Sequence, residues 1–349
     1  MKKKLVLLSI LSTFTLLSAC SGTTEKTKEN NKSEFTIGVV ADKSGIDDKS
    51  FNQATWEGVK KYGKEHNLKE NKDFKYLESV NGDSDYIPNL TNFAQNGYDL
   101  IFAVGNTQDT AVRDVAGQFP DNRFVLIDAI VDEPNVASLT FKEQEGSFLA
   151  GVVAAHTTKS NKVGFVGGME SDLIKKFEVG FKAGVKSVNP NIDVLIQYAG
   201  AFDKPDKGQA IANSLYGQGV DVIYQAAGST GNGIFTEAKN RTKNDKKVWV
   251  IGVDRDQYEE GLPENVTLTS MVKKVGTAVE NVIDQTMKNE FPSGKVLHYG
   301  INEDAIGLST NEENISEKAK KAVEEFTKKI KDGELVVPAT EKEFKKLNF

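Results

Sequence analysis

Short apolar runs alternate with helical hydrophobic patterns from Phe35 almost to the end of the chain, and this alternation constrains the fold more than any other feature. A strand with one face in water alternates polar and apolar residues, whereas most of these runs are almost continuously apolar. The sequence therefore predicts parallel strands whose two faces are both covered by helices. The predicted strands are 36–40, 100–104, 124–127, 162–166, 194–198, 222–225 and 248–253, followed by 266–271 and 296–299.

Apolar residues at every third or fourth position predict helices that face the core between these strands. Such stripes indicate packing rather than a binding site. The clearest of them are Leu173, Phe177, Phe181, Val185 and Val188, then Val272, Val275, Val279 and Val282, and finally Ala319, Val323, Phe326 and Ile330.

Two halves of the chain repeat the alternation, with a first series from Ile37 and a second from Val163. We therefore expect an α/β fold with two doubly wound parallel-sheet lobes joined by a hinge. Ligands of open α/β sheets bind at the carboxyl ends of the strands, so the expected binding site is a cleft between the lobes. Lobe 1 is expected to contain 35–145 and about 255–300, and lobe 2 is expected to contain 146–254 and about 301–349.

Cys20 is the only cysteine of the 349 residues, and it completes a bacterial lipoprotein signature. Three lysines near the start precede an apolar stretch that is too short to span a bilayer comfortably, and the run Leu-Ser-Ala-Cys at 17–20 closes it. The signature predicts that 1–19 is a signal peptide and that lipid on Cys20 anchors the protein to the extracytoplasmic face of the cell membrane. The polar segment 20–34 is expected to be a flexible tether.

The composition excludes several classes of function. With 50 acidic against 44 basic residues the formal charge is −6, and removal of the lysine-containing signal peptide makes the chain more acidic. A nucleic-acid partner is not expected, because phosphate binding needs a basic surface. Cys20 and the scattered His66, His156 and His298 lack metal-ligand spacing, so neither a metal nor another cofactor is expected.

Motifs of nucleotide-dependent enzymes do not match the chain. The run 228–233 has its glycines in the wrong order for the dinucleotide-binding pattern G-x-G-x-x-G. Lys295 follows Gly294 but precedes Val296 rather than the Ser or Thr of a phosphate-binding loop. The sequence therefore gives no support to a dehydrogenase or a nucleotide hydrolase.

The segment 42–53 follows the first predicted strand and is rich in polar residues. Asp48 or Ser50 is expected to cap the next helix, which places Phe51 in the first helical turn at the carboxyl end of the sheet. Phe51 either stacks on a flat ligand beside Asp42 or packs inward as part of an ordinary helix start. The pattern leaves both interpretations open.

Six segments carry a family resemblance: 42–53, 126–128, 176–181, 201–203, 251–254 and 270–273. In this order they resemble the basic membrane protein family of nucleoside-binding lipoproteins of ABC transporters, and the most similar members look like purine nucleoside receptors. The resemblance extends over roughly residues 35–310. It implies a type I periplasmic-binding-protein fold, no enzymatic activity and the permease and ATPase subunits of an importer as partners. We expect the protein to be a monomer.

The resemblance also implies roles for nine residues. Phe51 and Phe202 would sandwich the base from opposite lobes, and Asn52 and Asp128 would hydrogen-bond to its edges. The residues that would hold the ribose hydroxyls are Asp42, Glu178, Gly228, Asp254 and Lys273.

We therefore expect an extracytoplasmic lipoprotein that binds nucleosides and delivers them to an ABC importer. Purine nucleosides are its expected preferred ligands. The lack of an Arg or Lys cluster among the candidate residues argues against a phosphorylated ligand. One alternative is a secreted nucleoside hydrolase, in which two carboxylates act as base and stabiliser. The other is a sensor that binds a sugar or a signalling molecule in the same two-lobed frame.

Overall fold

The computed structural model describes residues 35–347, which form two six-stranded sheets with helices on their faces. The predicted signal peptide at 1–19, the lipidation site Cys20 and the tether at 20–34 lie outside the described residues. The strands are β1 (Ile37–Val40), β2 (Phe74–Leu77), β3 (Leu100–Val104), β4 (Phe124–Ile127), β5 (Val136–Phe141), β6 (Lys162–Gly167), β7 (Asp193–Tyr198), β8 (Val222–Ala226), β9 (Trp249–Asp254), β10 (Thr267–Lys273), β11 (Val296–Tyr299) and β12 (Ile306–Leu308). The α-helices are α1 (Phe51–Glu65), α2 (Asp83–Gln95), α3 (Asp109–Gln118), α4 (Glu143–Thr157), α5 (Asp172–Val188), α6 (Pro205–Gly217), α7 (Thr230–Lys243), α8 (Val275–Met287), α9 (Glu317–Lys331) and α10 (Glu341–Phe344).

The two sheets repeat one strand order. The first sheet has the order β11-β5-β4-β3-β1-β2, with every pair parallel. The second has the order β12-β10-β9-β8-β6-β7, with only β12 antiparallel to its neighbour. In each sheet the winding direction reverses beside β1 or β6, which is where open α/β sheets bind ligands. This topology confirms the predicted fold of two doubly wound parallel-sheet lobes.

Helices cover both faces of each sheet. In lobe 1, α1 and α8 pack on one face and α2 and α3 pack on the other. In lobe 2, α4 and α5 cover one face and α6 and α7 cover the other. Every residue of β1, β3, β4 and β8 is buried as a result. Burial on two faces explains why these runs lack alternating polar positions.

Within residues 35–347 the chain passes between the lobes three times, at 141–143, 273–275 and 299–306. The expected placement of about 255–300 in lobe 1 is therefore wrong for β10, which pairs with β9 in the second sheet. β10 is the next parallel strand of the second series, so it adds to that sheet before the chain leaves it. The chain then enters lobe 1 as α8, which packs on α1.

All nine predicted strands occur in the structure, with ends that differ by two residues at most. The strands that the sequence did not predict are β2, β5 and β12. Each is short or carries polar residues, such as Lys75 in β2 and Ser138 and Thr140 in β5. These segments form strands because they pair with neighbouring strands, and no local apolar run marks them in the sequence. Val272, predicted to begin the stripe of α8, belongs to β10 instead.

Glycines allow α4 and α5 to approach until their backbones are in contact. A Cβ on Gly184 would lie 1.9 Å from the carbonyl oxygen of Phe148, and a Cβ on Gly151 would lie 2.3 Å from that of Phe181. No real Cβ atom tolerates these distances. The two helices can therefore keep their separation only if both positions remain glycine.

We expect Gly184→Ala to lower the free energy of unfolding by about 1–3 kcal/mol, because the added methyl group overpacks the contact between α4 and α5. Gly217→Ala in α6 is the matched control, since a Cβ there meets no atom within 4 Å. The free energy of unfolding of this control should equal that of the wild type or be slightly higher. Equilibrium unfolding in denaturant measures both variants. A Gly184→Ala variant as stable as the wild type would contradict the close approach of the helices.

Candidate ligand-binding cleft

A cleft lies between the two sheets at the carboxyl ends of their strands. Its enclosed space is about 60 Å³, which is small beside the range of about 300–1,000 Å³ of small-molecule sites. Both lobes contribute polar and aromatic side chains to its walls. From lobe 1 these include Asp42, Ser44, Asp48, Phe51, Asn106 and Asp128, and from lobe 2 Phe177, Phe202, Asp254 and Lys273, beside the backbone of Gly228.

Asp128 and Asp254 occupy equivalent places in the two lobes. Asp128 directly follows β4 and Asp254 ends β9, and these are the fourth strands of the two series. Both have a left-handed backbone, with φ of 74° and 66°, which few residues other than glycine adopt without strain. Both also line the cleft, so the strained backbone lies at the candidate site, as is common for binding residues.

The Asp48 carboxylate organises the start of α1. It accepts hydrogen bonds from the backbone N–H groups of Ser50, Asn52 and Gln53 at 2.8, 3.0 and 3.1 Å. Ser50 precedes the helix, but its side chain makes no capping bond. Asp48 is therefore the capping residue of the two that the sequence suggests. The side-chain amide of Asn52 donates to Asp42 and Asp48 at 2.8 and 3.0 Å, which holds these two carboxylates in place.

Phe51 and Phe202 line the cleft from different lobes. Phe51 begins α1, whereas Phe202 lies in the loop between β7 and α6. Both rings line the cleft and also pack partly against the core, so Phe51 packs inward and also faces the space in which a ligand would stack. Gly168 makes room for Phe202, because a Cβ on Gly168 would lie 2.2 Å from Cδ1 of the ring.

Lys273, the last residue of β10, brings a positive charge to the cleft and is the only cation among the described residues that line it. Its side chain is 1% exposed. The ammonium donates to both oxygens of Asp128 at 2.6 and 2.5 Å and to Glu143 at 3.2 Å. It also lies 4.8 and 4.7 Å from the ring centroids of Phe51 and Phe141. This one group therefore connects lobe 2 with Asp128 of lobe 1.

The segment 48–50 of lobe 1 also contacts lobe 2, and we call it the closure seam. The carbonyl oxygens of its first two residues accept hydrogen bonds from Asn232 and Gln257 at 3.3 and 2.8 Å. The hydroxyl of Ser50 donates to Asp254 at 2.5 Å. These contacts join the lobes beside the cleft through protein groups alone.

Burial raises the pKa of four aspartates in the cleft, Asp48 among them, and three of the shifts are large. The pKa of Asp254 is raised to about 7, although the charge of Lys273 opposes the effect of burial. Burial and the nearby charge of Asp48 raise the pKa of Asp42 to about 6. Burial also raises the pKa of Asp128 to about 6, again against the charge of Lys273. These carboxylates therefore titrate near neutral pH rather than near pH 4.

Seven of the nine predicted site residues line the cleft, namely Asp42, Phe51, Asp128, Phe202, Gly228, Asp254 and Lys273. The other two do not. Asn52 lies behind Asp42 and supports it. Glu178 follows the cleft residue Phe177 in α5 and faces a different direction, where it accepts from Tyr198 at 2.6 Å and from Lys175 at 2.9 Å.

The environment of Glu178 is that of a structural carboxylate. Burial would raise its pKa, but hydrogen bonds from Lys175 and Tyr198 outweigh this effect and lower it. The geometry therefore gives no support to direct ligand contact by Glu178 or Asn52. Each holds neighbouring side chains in place.

The residues that line the cleft without being assigned to it from the sequence include Asp48, Asn106 and Phe177. Asn106 follows β3, and the rule that ligands bind at the carboxyl ends of strands could have identified it. Phe177 belongs to a helical stripe that the sequence identifies only as core. The sequence indicates Asp48 only as a possible helix cap.

The hydrogen-bonding groups of the cleft suit a polar organic ligand. Within residues 35–347, no group of three or more His, Cys, Asp and Glu side chains could hold a metal ion. In the same part of the chain, no helix combines the length and the apolar character that a membrane crossing requires.

Comparison with known proteins gives a consistent result. Residues 35–341 match the sequence model of the Bmp family, described as PnrA-like substrate-binding proteins of ABC transporters. The CD4+ T-cell-stimulating antigen of Listeria monocytogenes is 46% identical, over 97% of this chain and 99% of that protein. The ABC transporter nucleoside-binding protein BmpA of Lactococcus lactis is 41% identical, over 97% and 100%. A solved solute-binding protein of an ABC transporter system from Aeropyrum pernix superposes with a TM-score of 0.78, at 27% identity over 89% of this chain and 96% of that one.

We expect Asp254→Asn to stabilise the protein without ligand by up to about 4 kcal/mol at pH 8, because one pKa unit corresponds to about 1.4 kcal/mol. The folded-state pKa of about 7 exceeds the ordinary value of 3.8, so the wild type loses stability as the pH rises through this interval. The difference in free energy of unfolding between Asp254→Asn and the wild type should therefore become smaller as the pH falls from 8 to 5. Thermal and denaturant unfolding across this range measure it.

The control is Asp304→Asn, because the pKa of this exposed carboxylate is lowered by its bond to Lys274. Removing that charge should not stabilise the protein at any pH in the range. If Asp254→Asn is no more stable than the wild type, or if the difference in stability does not change with pH, the result would contradict a buried carboxylate with a raised pKa.

Proposed function

The chain belongs to the Bmp family of PnrA-like substrate-binding proteins of ABC transporters, and from this premise we propose that it binds nucleosides outside the cytoplasm and delivers them to an importer. Members of this family are binding proteins rather than enzymes, which removes the hydrolase alternative. The single observation that carries the proposal is a cleft lined by two phenylalanine rings from different lobes and by acidic side chains.

The rings of Phe51 and Phe202 suit a planar heterocycle. A base between them would gain about 1–3 kcal/mol per ring, judged from stacking in single-stranded nucleic-acid sites. Each ring belongs to a different lobe, so a base that touches both is bound fully only when the lobes are close. The ligand therefore favours the closed arrangement through its differential contacts.

The polar groups of the cleft suit a ribose better than a phosphate. Asp42 and Asp254 offer carboxylate acceptors for hydroxyl groups, whereas Lys273 is the only cation among the described lining residues. Adding a phosphate would place a second set of negative charges in a buried acidic site, which is strongly unfavourable. A neutral nucleoside is thus preferred over a nucleotide.

Purine nucleosides are the preferred ligands in this proposal. Asp128 can accept hydrogen bonds from an exocyclic amine or a ring N–H, and the larger purine face covers more of both rings. A missing ribose hydroxyl would leave buried carboxylates without donors, at about 1–3 kcal/mol per group. The site should therefore discriminate against deoxyribose more strongly than it does between two purines.

Membrane attachment through Cys20 completes the proposal. The basic start, the short apolar stretch and the small residues before Cys20 support processing as a lipoprotein. A lipid-anchored receptor stays close to the permease and ATPase partners that receive its ligand. The protein would act there as a monomer, since the cleft is built from a single chain.

We expect the mature protein to bind guanosine, inosine and adenosine, and to bind cytidine and free ribose more weakly. Phe202→Ala should weaken purine nucleoside binding by about tenfold or more, because tenfold corresponds to about 1.4 kcal/mol. Phe51→Ala should have a similar effect. Isothermal titration calorimetry measures each affinity, and chromatography of the same samples checks for free base.

Phe119→Ala serves as the control, because it removes a partly buried ring that packs in lobe 1 outside the cleft lining. This variant should bind as the wild type does. Tight binding of a sugar without any nucleoside binding would favour the sensor alternative. Unchanged affinity in both Phe51→Ala and Phe202→Ala would contradict the stacking site.

We expect Cys20→Ser to abolish incorporation of labelled palmitate and to release the protein from the membrane fraction. Thioester or thioether lipid chemistry needs the sulfur of Cys20, and a lipid chain is what holds such a protein at the bilayer. Ser21→Ala is the control and should remain in the membrane fraction. A Cys20→Ser protein that is still labelled and sedimented with membranes would argue against this anchor.

A further inference from the structure

Glu143 is a fully buried carboxylate outside the cleft lining. Its side chain is 0% exposed, and it begins α4 directly after the first crossing between the lobes. One oxygen accepts from Lys273 at 3.2 Å and the other accepts from Lys176 at 3.2 Å. Lys176 also donates to the carbonyl of Phe141, the last residue of β5. Glu143 is thus held from both sides at the hinge.

Lys273 lies at a second crossing, because it ends β10 just before the chain enters lobe 1 as α8. The Lys273–Glu143 pair therefore connects two of the hinge segments. The third partner, Asp128, lines the cleft, whereas Glu143 does not. Lys273 consequently has one acceptor that a ligand can reach and one that it cannot.

A ligand that donates to Asp128 must share this carboxylate with Lys273, because the ammonium already contacts both of its oxygens at 2.6 and 2.5 Å. A buried ammonium that loses all its partners is strongly destabilised. Lys273 can release part of its contact with Asp128 only if another acceptor remains. Glu143 is the buried carboxylate that supplies it.

We propose that Glu143 is a positioning residue for ligand binding, which anchors the Lys273 ammonium so that Asp128 can exchange a bond to this lysine for a bond to the ligand. This inference rests on the proposed function, because it assumes that Asp128 and Lys273 contact the ligand. Glu143 itself touches no ligand. It acts through Lys273, because its hydrogen bond fixes the position of the ammonium relative to the hinge.

The test compares inosine binding by the wild type, Glu143→Gln and Glu145→Gln in calorimetry. Glu143→Gln should bind about tenfold or more weakly, which corresponds to about 1.4 kcal/mol. Glu145→Gln is the matched control, because Glu145 lies two residues further along α4 and accepts from the backbone of Ile301 at 2.8 Å rather than from Lys273. It should bind within about threefold of the wild type.

A double-mutant cycle with Lys273→Gln separates positioning from a general loss of structure. If Glu143 acts through Lys273, Glu143→Gln should cause less than about a threefold further loss in the Lys273→Gln background. An equal loss in both backgrounds, or wild-type affinity in Glu143→Gln, would overturn the inference alone. Failure of the wild type to bind any nucleoside would overturn the proposed function and this inference with it.

A crystal structure of the wild type with inosine gives a second measurement that does not depend on the folding of a variant. Lys273 should keep a hydrogen bond to Glu143, and at least one oxygen of Asp128 should accept from the ligand. A Lys273 ammonium that has moved away from Glu143 in this complex would refute the positioning role.

Discussion

The buried ammonium of Lys273 is the group on which the arrangement of the molecule depends. A charge with 1% side-chain exposure needs partners, and this one takes them from Asp128 and Glu143, whose side chains are 5% and 0% exposed. Asp128 belongs to lobe 1 and Glu143 begins α4 at the hinge. The position of one ammonium therefore depends on groups of both lobes, the hinge and the cleft, because a buried charge without any partner is strongly destabilised.

The repeated topology explains why these groups meet. Asp128 and Asp254 follow or end equivalent strands and share a left-handed backbone. Glu143 comes shortly after β5, and Lys273 ends the equivalent strand β10, so the Lys273–Glu143 pair joins corresponding places of the two series. Since parallel strands present their carboxyl ends at one edge, two facing copies of this topology bring their turn residues together.

The sequence predicts those parts of the structure that local patterns encode. Continuous apolar runs identify strands such as β3 and β4, whereas β5 contains polar residues and is recognised only through its neighbours in the sheet. The family resemblance locates Glu178 along the chain, but its side-chain direction differs from that of Phe177, and only the packed helix reveals this. Glu143 looks like an ordinary acidic residue in a first helical turn. Its burial depends on Lys273, 130 residues away, which no local pattern can show.

The division of contacts in the cleft indicates what a ligand must supply. The closure seam at 48–50 joins the lobes through protein groups alone, so part of the free energy that holds them together does not come from the ligand. A ligand shifts the equilibrium only by its differential affinity for the two arrangements. Contacts made with both lobes at once, such as stacking on Phe51 and Phe202, provide this difference. Contacts made with one lobe alone add affinity but do not favour closure.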